Sequence, residues 1–133
     1  MANCRLLAFL LCESASVAPE PDNRVTLHHL LDRIILPRTP EKTDVTFVWA
    51  YYKVAVDAPC TVALRVVNPQ GREVPGSRRH SIDRIGPVQG VWALDTDLFK
   101  EPGPYVLELN EETDSPESHP LARTRLDVRL EGK

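Results

Sequence analysis

The sequence predicts an all-β fold, an antiparallel two-sheet β-sandwich of seven to eight strands, and three observations carry that prediction. Short apolar runs alternate with polar residues at a period of two, the mark of strands with one covered face. Twelve prolines in 133 residues, about twice the usual roughly 5%, fall almost entirely between those runs and punctuate them as turns. No stretch offers a confident helix, and turn signals return every ten to fifteen residues, the rhythm of a sandwich.

The opening, Arg5 to Glu13, is apolar on both faces, as in a central strand covered on each side. Residues 1–18 also admit a secretory signal, with one basic residue, Arg5, an apolar run from Leu6 to Cys12, and a small-x-small site at Ser16-Val17-Ala18. Glu13 directly after the run and Pro19 directly after that site oppose it. A cut there would discard a two-sided strand and leave its neighbours with uncovered faces, so the strand is preferred. The expected location is cytoplasmic, or secreted if residues 1–18 are a signal. At seven residues, the run is far short of the roughly 20 that a membrane span needs.

"RVTLHHLLDRII" fits either period, but its β-rich start favours a strand from about Arg24 to Leu30 that bends away near Asp32 into "LPRTPEKTD". "DVTFVWAYYKVAV" is the strongest strand, with Phe47, Trp49 and Tyr51 on one side and Val48, Ala50, Tyr52 and Val54 on the other. "CTVALRVVNPQG" places Cys60, Val62, Leu64 and Val66 on one face, then turns at Asn68-Pro69-Gln70-Gly71. Residues 45–74 thus read as consecutive antiparallel strands. "REVPGSRRHSIDRIG" is polar and weakly periodic, a hairpin end or mobile loop, and Val88 to Asp95 is a further strand. In "PGPYVLELNEE", Tyr105, Leu107 and Leu109 alternate with Val106 and Glu108. In "LARTRLDVRL", Leu126, Val128 and Leu130 oppose Arg123, Arg125, Asp127 and Arg129. The acidic link "NEETDSPESHP" between these two is long enough to cross between sheets or to form a tip.

The chain fits a single domain, 1–133, able to hide roughly 70% of the surface its unfolded form exposes. A net charge of −3, from 19 acidic and 16 basic side chains, gives no positive excess to release counterions from nucleic acid or to hold an acidic membrane. Cys4, Cys12 and Cys60 are odd in number and lack C-x-x-C spacing, so they read as reduced core residues rather than a disulfide or zinc framework.

The order "LLAFLLCE", "DNRVTLHHLLDRI", "VTFVWAYYKV", "TVALRVVNPQGREV", "FKEPGPYVLELNEE" and "LARTRLDVRL" resembles a family of short bacterial proteins classed as a domain of unknown function. The resemblance runs from Cys4 to Leu130 and implies a fold, with a chain that begins directly at its first strand, but no activity. "PGPYVLEL" also looks like the penultimate strand of immunoglobulin-like modules, in which a glycine-proline corner delivers an alternating strand into the core.

Candidate chemistry is sparse. His28 and His29 point to opposite faces of a strand and cannot share an ion undistorted, and His80 and His119 lie in expected loops without ligand spacing, so no metal site is read. Ser81 beside His80 diverges from it on an extended segment, and no nucleophile elbow or phosphate-binding glycine loop occurs. No catalytic residue and no cofactor is therefore assigned, and an enzyme is the least favoured reading. Trp49, Tyr51, Tyr52 and Trp92 could form an aromatic platform but sit in strongly apolar strands, where such rings are more often core. The stripe Arg123, Arg125 and Arg129 is explained by cross-strand pairing with Glu108. Arg72, Arg78, Arg79, His80 and Arg84 form a basic cluster within thirteen positions, suited to carboxylates or phosphates, though a solvated sheet end would look the same. The expected function is a non-catalytic protein-interaction module that meets an unidentified protein partner through residues 72–84 or an exposed strand edge, an edge that also allows homo-oligomers. A small-ligand or carbohydrate-binding sandwich is the alternative.

Overall fold

A computed structural model describes residues 3–19, 24–36, 47–75, 77–112 and 119–130. The described strands are β1 (Cys4–Val17), β2 (Val25–Leu30), β3 (Arg33–Leu36), β4 (Phe47–Val56), β5 (Cys60–Val67), β6 (Arg78–Ile82), β7 (Gly86–Asp95), β8 (Gly103–Glu112) and β9 (His119–Leu130), with a 3-10 turn at Thr96–Phe99 after β7. They form two sheets, ordered β2-β1-β4-β7 and β3-β9-β8-β5-β6. Every pair is antiparallel except β3 with β9.

Alternation decides the core. Val48, Ala50, Tyr52, Val54 and Val56 of β4 are each 2% exposed or less and face Tyr105, Leu107 and Leu109 of β8, equally buried. Each large side chain so covered contributes roughly 1.5–3 kcal/mol. β1 pairs with β4 over Cys4–Cys12 and with β2 only from Cys12 to Val17, so it is not the strand covered on each side that its apolar run predicts: Leu11 and Cys12 are buried, while Leu6, Leu7 and Leu10 stay exposed. The described residues contain no helix long and apolar enough to cross a membrane.

The turn expected at Asn68–Gly71 forms. The Gly71 N–H donates to the Asn68 carbonyl at 2.9 Å, and Asn68 Oδ1 accepts the N–H groups of Gln70 and Arg72 at 3.0 and 2.9 Å. Gly71 has φ +81°, a region that disfavours residues with a Cβ.

Three expectations need correction, and one alternative left open is decided. Strands β4 and β5 do not pair with each other, because they lie in different sheets. Each carries an apolar face, and facing across the core buries both faces where lying side by side would leave them to find other cover. The stretch read as a hairpin end or loop contains β6, which pairs with β5 from Cys60↔Ile82 to Leu64↔Arg78. The described residues form nine strands rather than seven or eight, since the short edge strands β3 and β6 carry too few residues for a clear period. The link after β8 does not change sheets, because β8 and β9 are neighbours. Its residues 113–118, and residues 37–46 of the proline-bounded link before β4, lie outside the described residues.

The connectivity is immunoglobulin-like. Strands β1, β4 and β7 take the places of A, B and E in the ABED sheet, and β5, β8 and β9 those of C, F and G, with β6 added beside C as C′. Tyr105, at the start of β8, accepts the Glu101 backbone N–H at 3.1 Å through its hydroxyl, which makes the tyrosine corner of such domains. Two residues on, where antibody domains carry their second cysteine, stands the fully buried Leu107. Packing takes the part of a disulfide there.

Candidate interaction edge and its cavity

The fold disperses the basic cluster. Arg79 is exposed and pairs with Glu112 at 2.8 Å. Arg78 and His80 alternate with it, so they turn towards the other sheet: the Arg78 guanidinium reaches the Ala93 carbonyl at 3.5 Å, and His80 Nδ1 meets the Tyr52 hydroxyl. Arg72 stands on the 68–71 turn, and Arg84 on the link between β6 and β7. Ser81 Oγ lies 3.3 Å from Thr61 Oγ1, on the side of β6 opposite His80, so the two do not converge. His28 and His29 are both exposed, and His29 has φ +58°. Among the described residues no three His, Cys, Asp or Glu side chains stand close enough to hold a metal ion.

The aromatic residues divide between two surfaces. Tyr52 stacks on Trp92 with centroids 4.4 Å apart, between the sheets. Burial pushes its phenol up to about 12, because a phenolate there would lose its hydration. Gly90, opposite Tyr52 on β7, admits that ring, since an added Cβ would lie 2.6 Å from Tyr52 Cζ. Trp49 and Tyr51 face outwards and are only half-buried, and the Tyr51 hydroxyl donates to Gln89 Oε1 at 2.9 Å.

The far end of the β1–β2 hairpin returns to the same outer face. Cys12 pairs with Trp49, so a flat β1 would carry Val17 past the end of β4. Val17 and Val25 instead line a cavity of about 490 Å³ together with Lys53, Gln89 and Val91. The hairpin therefore curls back over the outer face of its sheet. Cys12 lies beneath it, outward-facing yet wholly buried, and burial raises its thiol pKa.

Beyond this cavity runs β7. It pairs with β4 from Phe47↔Asp95 to Val56↔Gly86, and no described strand lies on its other side. In an immunoglobulin sheet strand D occupies that place. From Pro87 to Leu94 β7 carries no charge, so it lacks the charged side chains that usually blunt an edge, although Pro87 removes one donor.

Sequence reasoning missed Glu111. Its side chain is fully buried, and its carboxylate accepts the Asn3 N–H at 3.0 Å, the Cys4 N–H at 3.0 Å and the Cys4 thiol at 3.1 Å, which joins β8 to the start of β1 in the opposite sheet. The signal was parity, since Glu111 continues the inward series Tyr105, Leu107, Leu109. Burial and then the Glu111 hydrogen bond raise the Cys4 thiol well above its usual range, and burial raises Cys60. Both are held as protonated thiols rather than nucleophilic thiolates.

Known proteins match at the level of fold. The chain is similar to the C-terminal domain of Wzt, with TM-score 0.56 and 11% identity over 96% of this chain and 74% of that one. An immunoglobulin-like protein from Pseudomonas aeruginosa aligns with TM-score 0.43 and 14% identity over 96% and 98%. No protein-family model and no curated protein matches the chain.

Proposed function

We propose that the protein is a non-catalytic interaction module that takes an extended segment of a partner protein as an added strand along β7. The observation behind this reading is that no described strand lies beside β7 where an immunoglobulin sheet carries strand D. Alternate residues of such an edge present N–H and C=O groups to the open side, and an added strand satisfies them while neighbouring pockets choose its side chains. The basic segment supports docking less, because Arg78, Arg79 and His80 already have partners within the fold. A cytoplasmic site of action accords with three free thiols.

The test uses nine-residue peptides selected from a random display library on the full chain, followed by amide hydrogen exchange of the complex. Alternate amides of β7 should slow on binding. Protection confined to other strands overturns the reading, as does a β7 already protected without peptide by self-association.

A second reading, a carbohydrate platform, is favoured by Trp49 and Tyr51 alone, the two rings that face outwards. It requires both to meet solvent, so acrylamide should quench Trp49 fluorescence freely in a Trp92→Phe variant and a bound sugar should suppress that quenching. Resistance to acrylamide without sugar would reject it.

A further inference from the structure

We infer that the cavity beside β7 is a specificity pocket for a carboxylate side chain, so that the added strand carries an Asp or Glu at one fixed position. This rests on the β7 reading and deepens it. The cavity lies between the paired strand ends Val17 and Val25 and the outer face of β7. Its apolar walls are Val17, Val25 and Val91, and it holds two cations, Lys53 from β4 and Arg84 from the link before β7. Neither cation has a hydrogen bond or ion pair with a described residue, whereas Arg65, Arg79, Arg123 and Arg125 on the second sheet's outer wall are each paired with a carboxylate.

Two unpaired cations of different reach in one partly apolar hollow repel each other and gain from an anion between them. The register places the anion on a strand. Lys53 and Gln89 are direct cross-strand partners on the outer face, so a strand added beside β7 sets one residue next to Gln89 in that same row, with its side chain on the cavity side. Residues two before and two after it share that face but flank the hollow. Selectivity is thus confined to one position. Arginine at Arg84 can bind a carboxylate through two donors and Lys53 can add a third.

The probe is the peptide selected from the nine-residue library. Its sequences should align on one position held by Asp or Glu. A synthetic Glu→Gln analogue should bind about tenfold or more weakly, equivalent to roughly 1.4 kcal/mol, and the loss should shrink in the Lys53→Gln/Arg84→Gln variant. That variant should weaken the parent peptide by a similar factor and flatten its salt dependence. The sequence also places Glu20 and Asp22 between Val17 and Val25, so Glu20→Gln/Asp22→Asn is a necessary control. If it leaves the cation pair still selecting acidic peptides, the inference stands, and if acidic selection appears only after it, the chain's own hairpin is the occupant and the inference falls. Peptides that slow alternate β7 amides but show no fixed acidic position, or bind the double variant unchanged, overturn the pocket while leaving the β7 edge intact. Peptides that protect no β7 amide overturn both.

Discussion

The two sheets turn opposite chemistry to solvent. On the outer face of the second sheet Glu108 sits among arginines, 2.7 Å from Arg123 and 3.9 Å from Arg65, and Arg65 also reaches Glu73 at 3.5 Å. Arg125 pairs with Asp127 on the same strand at 2.9 Å. The outer face of the first sheet carries Trp49, Tyr51, Val91 and the half-exposed Leu10, and among them Lys53, which pairs with no described residue. One face pairs four of its arginines with carboxylates, and the other leaves apolar surface and a cation beside a strand edge that no described strand covers. Both faces belong to strands of the same alternating type, so the difference lies in the residues at the outward positions. A face whose charges are paired at home offers little to a partner, and the contrast points to the first sheet as the side that binds.

The largest expected effect comes from loosening the joint on which both faces depend. Glu111→Ala should leave the Asn3 and Cys4 amides without their acceptor and lower stability by about 3 kcal/mol, read as a fall in the urea midpoint with an unchanged slope. An unchanged midpoint would mean that the carboxylate does not tie the sheets.

Somewhat smaller is the alkaline response of the first sheet's inner face. Tyr52 is 2% exposed, with its phenol raised from 10.0 to about 12. Below pH 10 the tyrosine is protonated in both folded and unfolded chains. Between pH 10 and 12 the unfolded chain releases the proton first, and the stability tied to the neutral phenol, about 2–3 kcal/mol, is lost as pH rises. Stability measured across that window should slope less steeply in Tyr52→Phe. Equal slopes would place the alkaline sensitivity in other groups.

The smallest effect belongs to the second sheet's outer face. Glu108→Ala should lower stability by about 1 kcal/mol, because the arginines it releases are themselves exposed enough to hydrate. It should also convert a self-paired face into a cationic one. Retention times on a cation exchanger should lengthen, while the β7 peptide affinity stays within about twofold of the parent. A large change in that affinity would show that the two faces are not independent.

Much of the fold was legible because it depends on local alternation. The inward series of β8 and β9 and the Asn68–Gly71 turn follow from residue types at fixed spacing, and the structure retains both, whereas the two-sided apolar run of β1 is only partly covered, with Leu6, Leu7 and Leu10 exposed. β6 was less legible, because five residues that open with two adjacent arginines and a histidine look like loop. The candidate edge was hidden for a different reason. Val88 to Asp95 reads as a strand in any fold, and nothing in those residues tells whether a strand will lie on one side of it or two.

The basic cluster failed as a unit on geometric grounds, since neighbours in an extended chain point apart. Arg79 turned outwards to Glu112, while Arg78 and His80 turned inwards to Ala93 and Tyr52. Glu111 could have been found by continuing the parity of Tyr105, although its amide partners on β1 could not, because they come from the far end of the chain.

By itself the sequence determined that this chain is built of strands, which side of most of them is apolar, and where several turns fall, since those properties are set within a few residues by sterics and burial. Only the tertiary structure decided that β4 and β5 face one another across the core, that the first hairpin curls over its own sheet, and that Lys53 and Arg84 line one cavity beside β7. Those are relations between segments far apart in the chain, fixed by how whole apolar faces find cover.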